Sequence, residues 1–309
     1  MNLNQMRYIC ETVDQGMNIS RAAAALHTAQ PVISRQIQLL EKELGVTIFV
    51  RTKKRILGLS EPGKAIAAMA RRMLNDAQGM RSVSAEYAMP NEGELVVATT
   101  YAHARYALPD VIRRYTARFP AVKVSLYEGT PAEIAGWLTC GRVDLSISSI
   151  PSAAHDELAF VPYETLHRIV LVPLRHSLLR VETLTLDELA RHPIVTFHQG
   201  SSGGESVEQA FRVSGLAPRF SVRAANADVI KACVQIGLGV GIVSSLARPS
   251  RNDQGLKAID ASHLFPDHQI AVGLRKGHYI RKYVYEFLRC VAPKLDVEQI
   301  KRSSGEVRG

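Results

Sequence analysis

Apolar side chains at Leu3, Met6, Ile9, Cys10 and Val13 recur mostly at three- and four-residue steps, which predicts a helix with one buried face. Gly16 ends it. Ser20 is placed to cap a second helix, whose "RAAAAL" core is small enough for another helix to cross it closely. His27, Thr28 and Ala29 form a break. A third helix then begins with Pro31 in its first turn, where a missing N–H costs little, and its apolar face reads Ile33, Ile37, Leu40 and Leu44. "GVTIFVRTKKRILGLSEPG" has strand character on both sides of "TKKR" and predicts a small hairpin or wing. Glu61 to Tyr87 reads as one long helix. Its Ile66, Met69, Met73, Met80, Val83 and Tyr87 keep heptad-like steps interrupted by Asp76, a line that is either a core face against its own unit or, as the better reading, a stripe for pairing with a second copy. Pro90 and Gly93 break that helix and provide a hinge.

From Glu94 the period changes. "ELVVATT", "AVKVSLYEG", "RVDLSISSI", "HPIVTFHQG", "PRFSVRAAN" and "LGVGIVSSL" are strand-like runs separated by helical segments, the pattern of an α/β architecture. The long "LAFVPYETLHRIVLVPL" can carry the chain from one lobe into another and "HQIAVGLRKG" can return it, with Tyr279 to Val291 as a final helix, a topology that periodicity alone does not establish and that rests chiefly on a family resemblance. The expected organisation is residues 1–60 as a helical unit with a wing, 61–90 as a linker helix and hinge, and 91–309 as a two-lobed α/β unit with its tail.

Composition sharpens this picture. A chain of 309 residues, 46% hydrophobic, can fill more than one core. The formal charge is +9, and the first 90 residues hold 12 Lys and Arg against 7 Asp and Glu, so positive charge is denser at the front. That favours a polyanionic partner. Cys10, Cys140, Cys233 and Cys290 lie far apart without a Cys-x-x-Cys pair, which fits buried thiols in a reducing compartment and implies no metal site. No apolar signal run or membrane-spanning segment is evident, so the expected location is the cytoplasm, with no membrane partner.

Ser34, Arg35 and Gln38 lie off the apolar face of the third helix, where a helix entering a DNA groove carries its reading side chains. Arg51, Lys53, Lys54 and Arg55 cluster in the predicted wing. They are either a solvated charge run or, beside the two helices, phosphate contacts that make binding salt-dependent. In the second half three hydroxyl clusters stand at strand ends: Thr99 with Thr100, Ser148 with Ser149, and Ser201 with Ser202 before a helix starting near Gly203. Neutral donors there can enclose a small anion.

The segment "MRYICETVDQGMNISRAAAALHTAQPVISRQIQLLEKELGVTIFVR" with the following "LSEPG" resembles the LysR-type transcriptional regulators. The resemblance implies an N-terminal winged helix-turn-helix, a long linker helix and a C-terminal two-lobed α/β sensor similar to periplasmic solute-binding proteins. It implies Gln30, Pro31, Ser34 and Arg35 at the start and reading face of the recognition helix. The expected partners are promoter double-stranded DNA and further copies of the chain, as a dimer and then a tetramer, with RNA polymerase as a candidate. "ATTYAHARYALPDVIRRY", "VTFHQGSSGGESVEQAFRVSGLAPRF" and "ADVIKACVQIGLGVGIVSSLA" resemble the branch that regulates sulfur assimilation, including cysteine biosynthesis. By that resemblance Thr100, Ser149 and Ser202 hold sulfate or an organosulfur effector and no cofactor is needed. Ala102 departs from the branch, which commonly has threonine there, and His103 stands where glutamine is usual. A regulator of organosulfonate use, or of another small anion, stays open beside sulfur assimilation.

Enzyme readings fare poorly. No Gly-x-Ser-x-Gly elbow surrounds Ser148 or Ser201, and "GLGVG" lacks the spacing of a dinucleotide loop, which leaves close strand packing as the reason for its glycines. A solute-binding component is the alternative from another class; the basic N-terminal segment argues against it.

Overall fold

Asn2 opens the first helix by accepting from Gln5 N while the Gln5 side chain accepts from Asn2 N, a reciprocal cap that satisfies two orphan donors. The structure is a computed structural model describing residues 1–52, 55–153, 155–199, 202–250 and 253–305. Contacts divide the chain into Met1–Ala88 and Met89–Gly309.

The first unit contains α1 (Leu3–Asp14), α2 (Ile19–Ala25), α3 (Gln30–Leu44), the antiparallel strands β1 (Phe49–Arg51) and β2 (Ile56–Leu59), and α4 (Glu61–Ala88). Met6, Ile9, Ala22, Ala23, Ile33, Ile37 and Leu40 form its core with Ile48 and Phe49. Asn18, not Ser20, caps α2: its side chain accepts from Arg21 N at 3.1 Å. Leu44 also departs from expectation. It is 40% exposed because it ends α3 immediately before Gly45, whose φ of 69° turns the chain away. Ser60 Oγ accepts from Gly63 N at 2.9 Å and starts α4. A Cβ at Gly63 would lie 2.0 Å from Ile48 O, so only glycine lets this turn approach the wing.

The second unit runs β3 (Gly93–Thr99), α5 (Tyr101–Tyr106), α6 (Leu108–Arg118), β4 (Val122–Glu128), α7 (Pro131–Thr139), β5 (Leu145–Ser149), β6 (Leu158–Leu166), β7 (Arg168–Pro173), α8 (Leu186–Ala190), β8 (Ile194–Phe197), α9 (Ser202–Val213), β9 (Phe220–Ala224), α10 (Ala227–Gln235), β10 (Val240–Ser244), β11 (Leu256–Asp260), β12 (His268–Arg275), α11 (Lys282–Val291) and α12 (Val297–Ser304). These form two five-stranded sheets, ordered β4-β3-β5-β12-β6 and β11-β7-β10-β8-β9. The chain crosses between them twice, through His167 after β6 and again between β11 and β12, as the family resemblance implies. Both faces of each sheet are covered, which is why Ile169, Val170, Leu171 and Val172 are all fully buried and read as a continuous apolar run.

Three details differ from the sequence reading. β11 is an additional edge strand whose "LKAID" pattern is too short to stand out. The predicted last helix starts at Lys282 and is followed by α12, which buries Ile300 and Ser304 and so shows too little apolar periodicity. In "GLGVG", Gly241 lies in β10, where an added Cβ would meet Val234 and Ile230 at 2.8 and 2.9 Å, whereas Gly237 and Gly239 precede the strand with φ of 81° and 153°. Packing and turning explain all three. Among the described residues, no helix is long and apolar enough to cross a membrane.

Candidate functional site

In the first unit, burial of Ile33, Ile37 and Leu40 fixes the rotation of α3 and turns Gln30, Pro31, Arg35 and Gln38 to the exposed face, with Ser34 half-buried. This face presents a cation and two amides that can donate to or accept from base edges. Val32, 42% exposed and one turn from Arg35, was missed by sequence reasoning because an apolar residue beside a core position reads as core. Exposed there, it suits contact with a thymine methyl.

The wing is tied to α3 by Glu41. Its Oε1 accepts from Ile48 N at 2.8 Å and Phe49 N at 3.1 Å, and its Oε2 lies 3.3 Å from Arg51 Nη2. Arg51 is thus engaged in a partly buried ion pair that sets the position of the wing, a correction to its expected place among free phosphate contacts. Arg55 is exposed at the start of the return strand. Lys53 and Lys54 lie outside the described residues. Gln5 Nε2 donates to Gln36 Oε1 at 3.2 Å, and Arg71 makes a two-point ion pair with Asp14, so α1 braces both α3 and α4.

In the second unit the hydroxyl pairs separate by the two-residue alternation of a strand. Thr99 is fully buried and donates to Ile147 O at 2.8 Å; Ser148 is buried and donates to Ser149 O at 3.1 Å. Both hydroxyls are spent on neighbouring backbone, which corrects their assignment as ligand donors. Thr100 and Ser149 are half-buried at the ends of the adjacent parallel strands β3 and β5. Thr100 Oγ1 lies 3.0 Å from Nδ1 of His103, one turn into α5. His103 is 2% exposed, burial holds its imidazole neutral with a pKa of about 4, and among the described residues its Nε2 has no hydrogen-bond partner. Ala102 is half-buried between them in sequence. Ser201 lies outside the described residues, and Ser202 is described only as the first residue of α9. The glycines after it serve close approach: a Cβ on Gly204 would fall 2.5 Å from His198 O, and one on Gly203 2.9 Å from the Phe197 ring. They allow α9 to start directly against the end of β8.

The lobes are joined by an acidic clamp that the sequence reading missed. Asp228, in the first turn of α10, accepts from Tyr101 OH at 2.8 Å, Tyr106 OH at 2.5 Å and Arg105 Nε at 3.0 Å, all from α5. Burial pushes its pKa upward, but these donors outweigh that and leave it below the ordinary carboxylate value. The donors are 122 to 127 residues away in sequence, so no local pattern signals the contact. A second missed residue, Arg168, is buried where the chain crosses between sheets.

Residues 3–64 match the family of bacterial regulatory helix-turn-helix proteins, lysR family, and residues 89–296 match the LysR substrate binding domain. The chain is 43% identical over 300 residues to the HTH-type transcriptional regulator SsuR of Burkholderia cenocepacia, covering 97% of each chain. It is 40% identical to the HTH-type transcriptional regulator CysB of Haemophilus influenzae, covering 98% of this chain and 94% of that one. The crystal structure of the cofactor-binding domain of the Cbl transcriptional regulator is similar with a TM-score of 0.64 and 36% identity, over 70% of this chain and 95% of that chain. Helix-turn-helix, linker helix and two-lobed α/β unit thus follow one another along a chain that belongs to the LysR family of sequence-specific DNA-binding transcriptional regulators, close to its CysB and Cbl members, and is not an enzyme.

Proposed function

We propose that the chain controls sulfur-assimilation genes in response to sulfate or a related sulfur metabolite bound in the second unit. The observation that carries this reading is the Thr100–His103 pair: a hydroxyl and a buried neutral imidazole, the latter with an unused nitrogen, beside Ser149 at the ends of two parallel strands. A neutral imidazole carries one N–H, so the pair offers one free donor, Nε2–H when Thr100 Oγ1 gives its hydrogen to Nδ1 or Oγ1–H when Nδ1 gives its hydrogen to Oγ1, and that donor together with Ser149 suits an oxyanion. Ser202, at the start of α9, contributes from the other lobe. On the DNA side, Gln30, Ser34, Arg35 and Gln38 read base edges while Pro31 sets the helix start, and Lys53, Lys54 and Arg55 contact phosphates. The exposed stripe of Met69, Met73, Met80 and Tyr87 supports a dimer through α4, with tetramer assembly and RNA polymerase contact following at the promoter in the cytoplasm. Ala102 favours a second reading, control by organosulfonate supply, because a methyl group replaces a donor with an apolar wall.

Fluorescence anisotropy on a cognate promoter, with and without added sulfur anions, tests both halves. Arg35→Ala is expected to lose discrimination between promoter and random duplex. Thr100→Ala is expected to keep promoter binding but need about tenfold or more anion for the same response, the equivalent of one lost hydrogen bond to a charged group. Unchanged selectivity in the first variant, or an unchanged anion response in the second, would sink the corresponding assignment.

A further inference from the structure

Arg168 is the first residue of β7, at the crossing between sheets, and is 4% exposed. Its Nη2 donates to Ser206 Oγ at 3.3 Å and lies 2.6 Å from His268 Nε2. Ser206 gives its own hydrogen to Gly203 O at 3.2 Å, which leaves a lone pair for the guanidinium. A guanidinium only donates, so the imidazole nitrogen facing it must be an unprotonated acceptor. Burial, and then the charge of Arg168, hold His268 neutral with a pKa of about 4. Neither partner carries negative charge. Among the described residues, Nε of Arg168 is buried without a hydrogen-bond partner and no carboxylate forms an ion pair with it.

A buried cation without a counter-charge is unfavourable, and its position indicates what would relieve that. His268 stands two residues before Ile270, which pairs with Ser149 across β12 and β5. It is therefore a diagonal neighbour of Ser149, about 7–8 Å away. Ser206 lies one helical turn beyond Ser202 in α9. The guanidinium is held between the strand ends of one lobe and the first turns of α9 in the other.

We propose that Arg168 is the charge-recognition residue of the effector cleft, and that the cleft takes a monoanionic sulfonate, R–SO3⁻, in preference to the sulfate dianion. This rests on the reading that Thr100 and Ser149 line the effector site. One guanidinium, whose own partners Ser206 and His268 are both neutral, cancels one negative charge. A sulfonate leaves the filled cleft neutral, whereas sulfate leaves one buried negative charge uncompensated. A sulfonate also has a carbon where sulfate has a fourth oxygen, and the half-buried methyl of Ala102 beside Thr100 offers that carbon an apolar wall. Because Arg168 is anchored to both lobes, its neutralisation by ligand acts on their relation to each other.

The test is titration calorimetry of the full chain with ethanesulfonate and with sulfate, together with thermal melting in the absence of either. Wild type is expected to bind ethanesulfonate at least tenfold tighter than sulfate. Arg168→Gln should lose tenfold or more in ethanesulfonate affinity while melting no lower than wild type, because it removes an uncompensated charge; a purely structural arginine would lower the melt. Thr100→Ala should weaken both anions. If Thr100→Ala loses affinity and Arg168→Gln keeps it, the role of Arg168 is overturned and the hydroxyl cleft stands. If both variants keep it, the cleft itself falls and this proposal with it. Equal or tighter binding of sulfate by wild type, or no binding of either anion, also overturns the proposal. His268→Glu provides an independent arm should Arg168→Gln not fold: supplying the missing carboxylate should raise the melt and weaken ethanesulfonate at least tenfold, and a variant that melts higher yet binds like wild type overturns the assignment.

Discussion

His103 illustrates how one side chain records its surroundings in a measurable way. Its imidazole is expected to titrate near 6.5 in the unfolded chain and at about 4 in the folded one, because burial opposes its charged form. Between those values the unfolded state binds more protons, so stability is complete above pH 6.5 and is lost as pH falls toward 4. The slope approaches roughly 1.4 kcal/mol per pH unit for one such group. Urea unfolding at pH 7.5, 6 and 5 should show wild type losing stability faster than His103→Gln as the pH drops; parallel losses would show that His103 is not the buried neutral group described here. His103 stood out in the sequence only as a departure from the glutamine usual in similar proteins. Its burial, its bond to Thr100 and its unused nitrogen all depend on α5 lying against the sheet.

At the scale of elements, α4 pairs the simplest sequence signal with the least local support. Its heptad-like stripe is legible in the sequence because a helix that pairs along its length must place its apolar residues along one line. In the folded chain Ile66 reaches the first core, while Met69, Met73, Met80 and Tyr87 stay 55%, 36%, 73% and 87% exposed. The proposed pairing with a second copy would cover them. Met73→Glu is then expected to place a desolvated charge in the pairing surface, at a cost on the order of 3 kcal/mol, and sedimentation velocity at micromolar concentration should show lighter species than wild type. A monomeric wild type under those conditions would remove the argument. The wing shows the opposite relation. Its strands were predictable from "TIFV" and "ILGL", but the ion pair between Arg51 and Glu41 that fixes it to α3 was not, because in sequence Arg51 simply begins a basic run.

Across the whole sensor unit, the clamp on Asp228 decides how firmly α5 of one lobe holds α10 of the other. Asp228→Ala would leave two tyrosine hydroxyls and Arg105 without their acceptor, at a cost of about 1–3 kcal/mol. Hydrogen exchange should then quicken in both helices. Unchanged protection would mean that apolar packing around Tyr106 alone holds the lobes together.

Periodicity and residue type in the sequence determined the helical head, the linker stripe, most strands and the exposed face of α3, because each depends on neighbours within a few turns or one strand, whereas the two crossings between lobes were legible only through the family resemblance. Tertiary structure alone separated the hydroxyls within the Thr99–Thr100 and Ser148–Ser149 pairs, since Thr99 and Ser148 differ from Thr100 and Ser149 by one residue yet spend their bonds on neighbouring backbone. It also decided that Asp228 is a clamp and that Arg168 is buried without a counter-charge. Those properties arise from groups separated by 38 to 127 residues, and hydrogen bonding and desolvation act over a few ångströms of space regardless of distance along the chain.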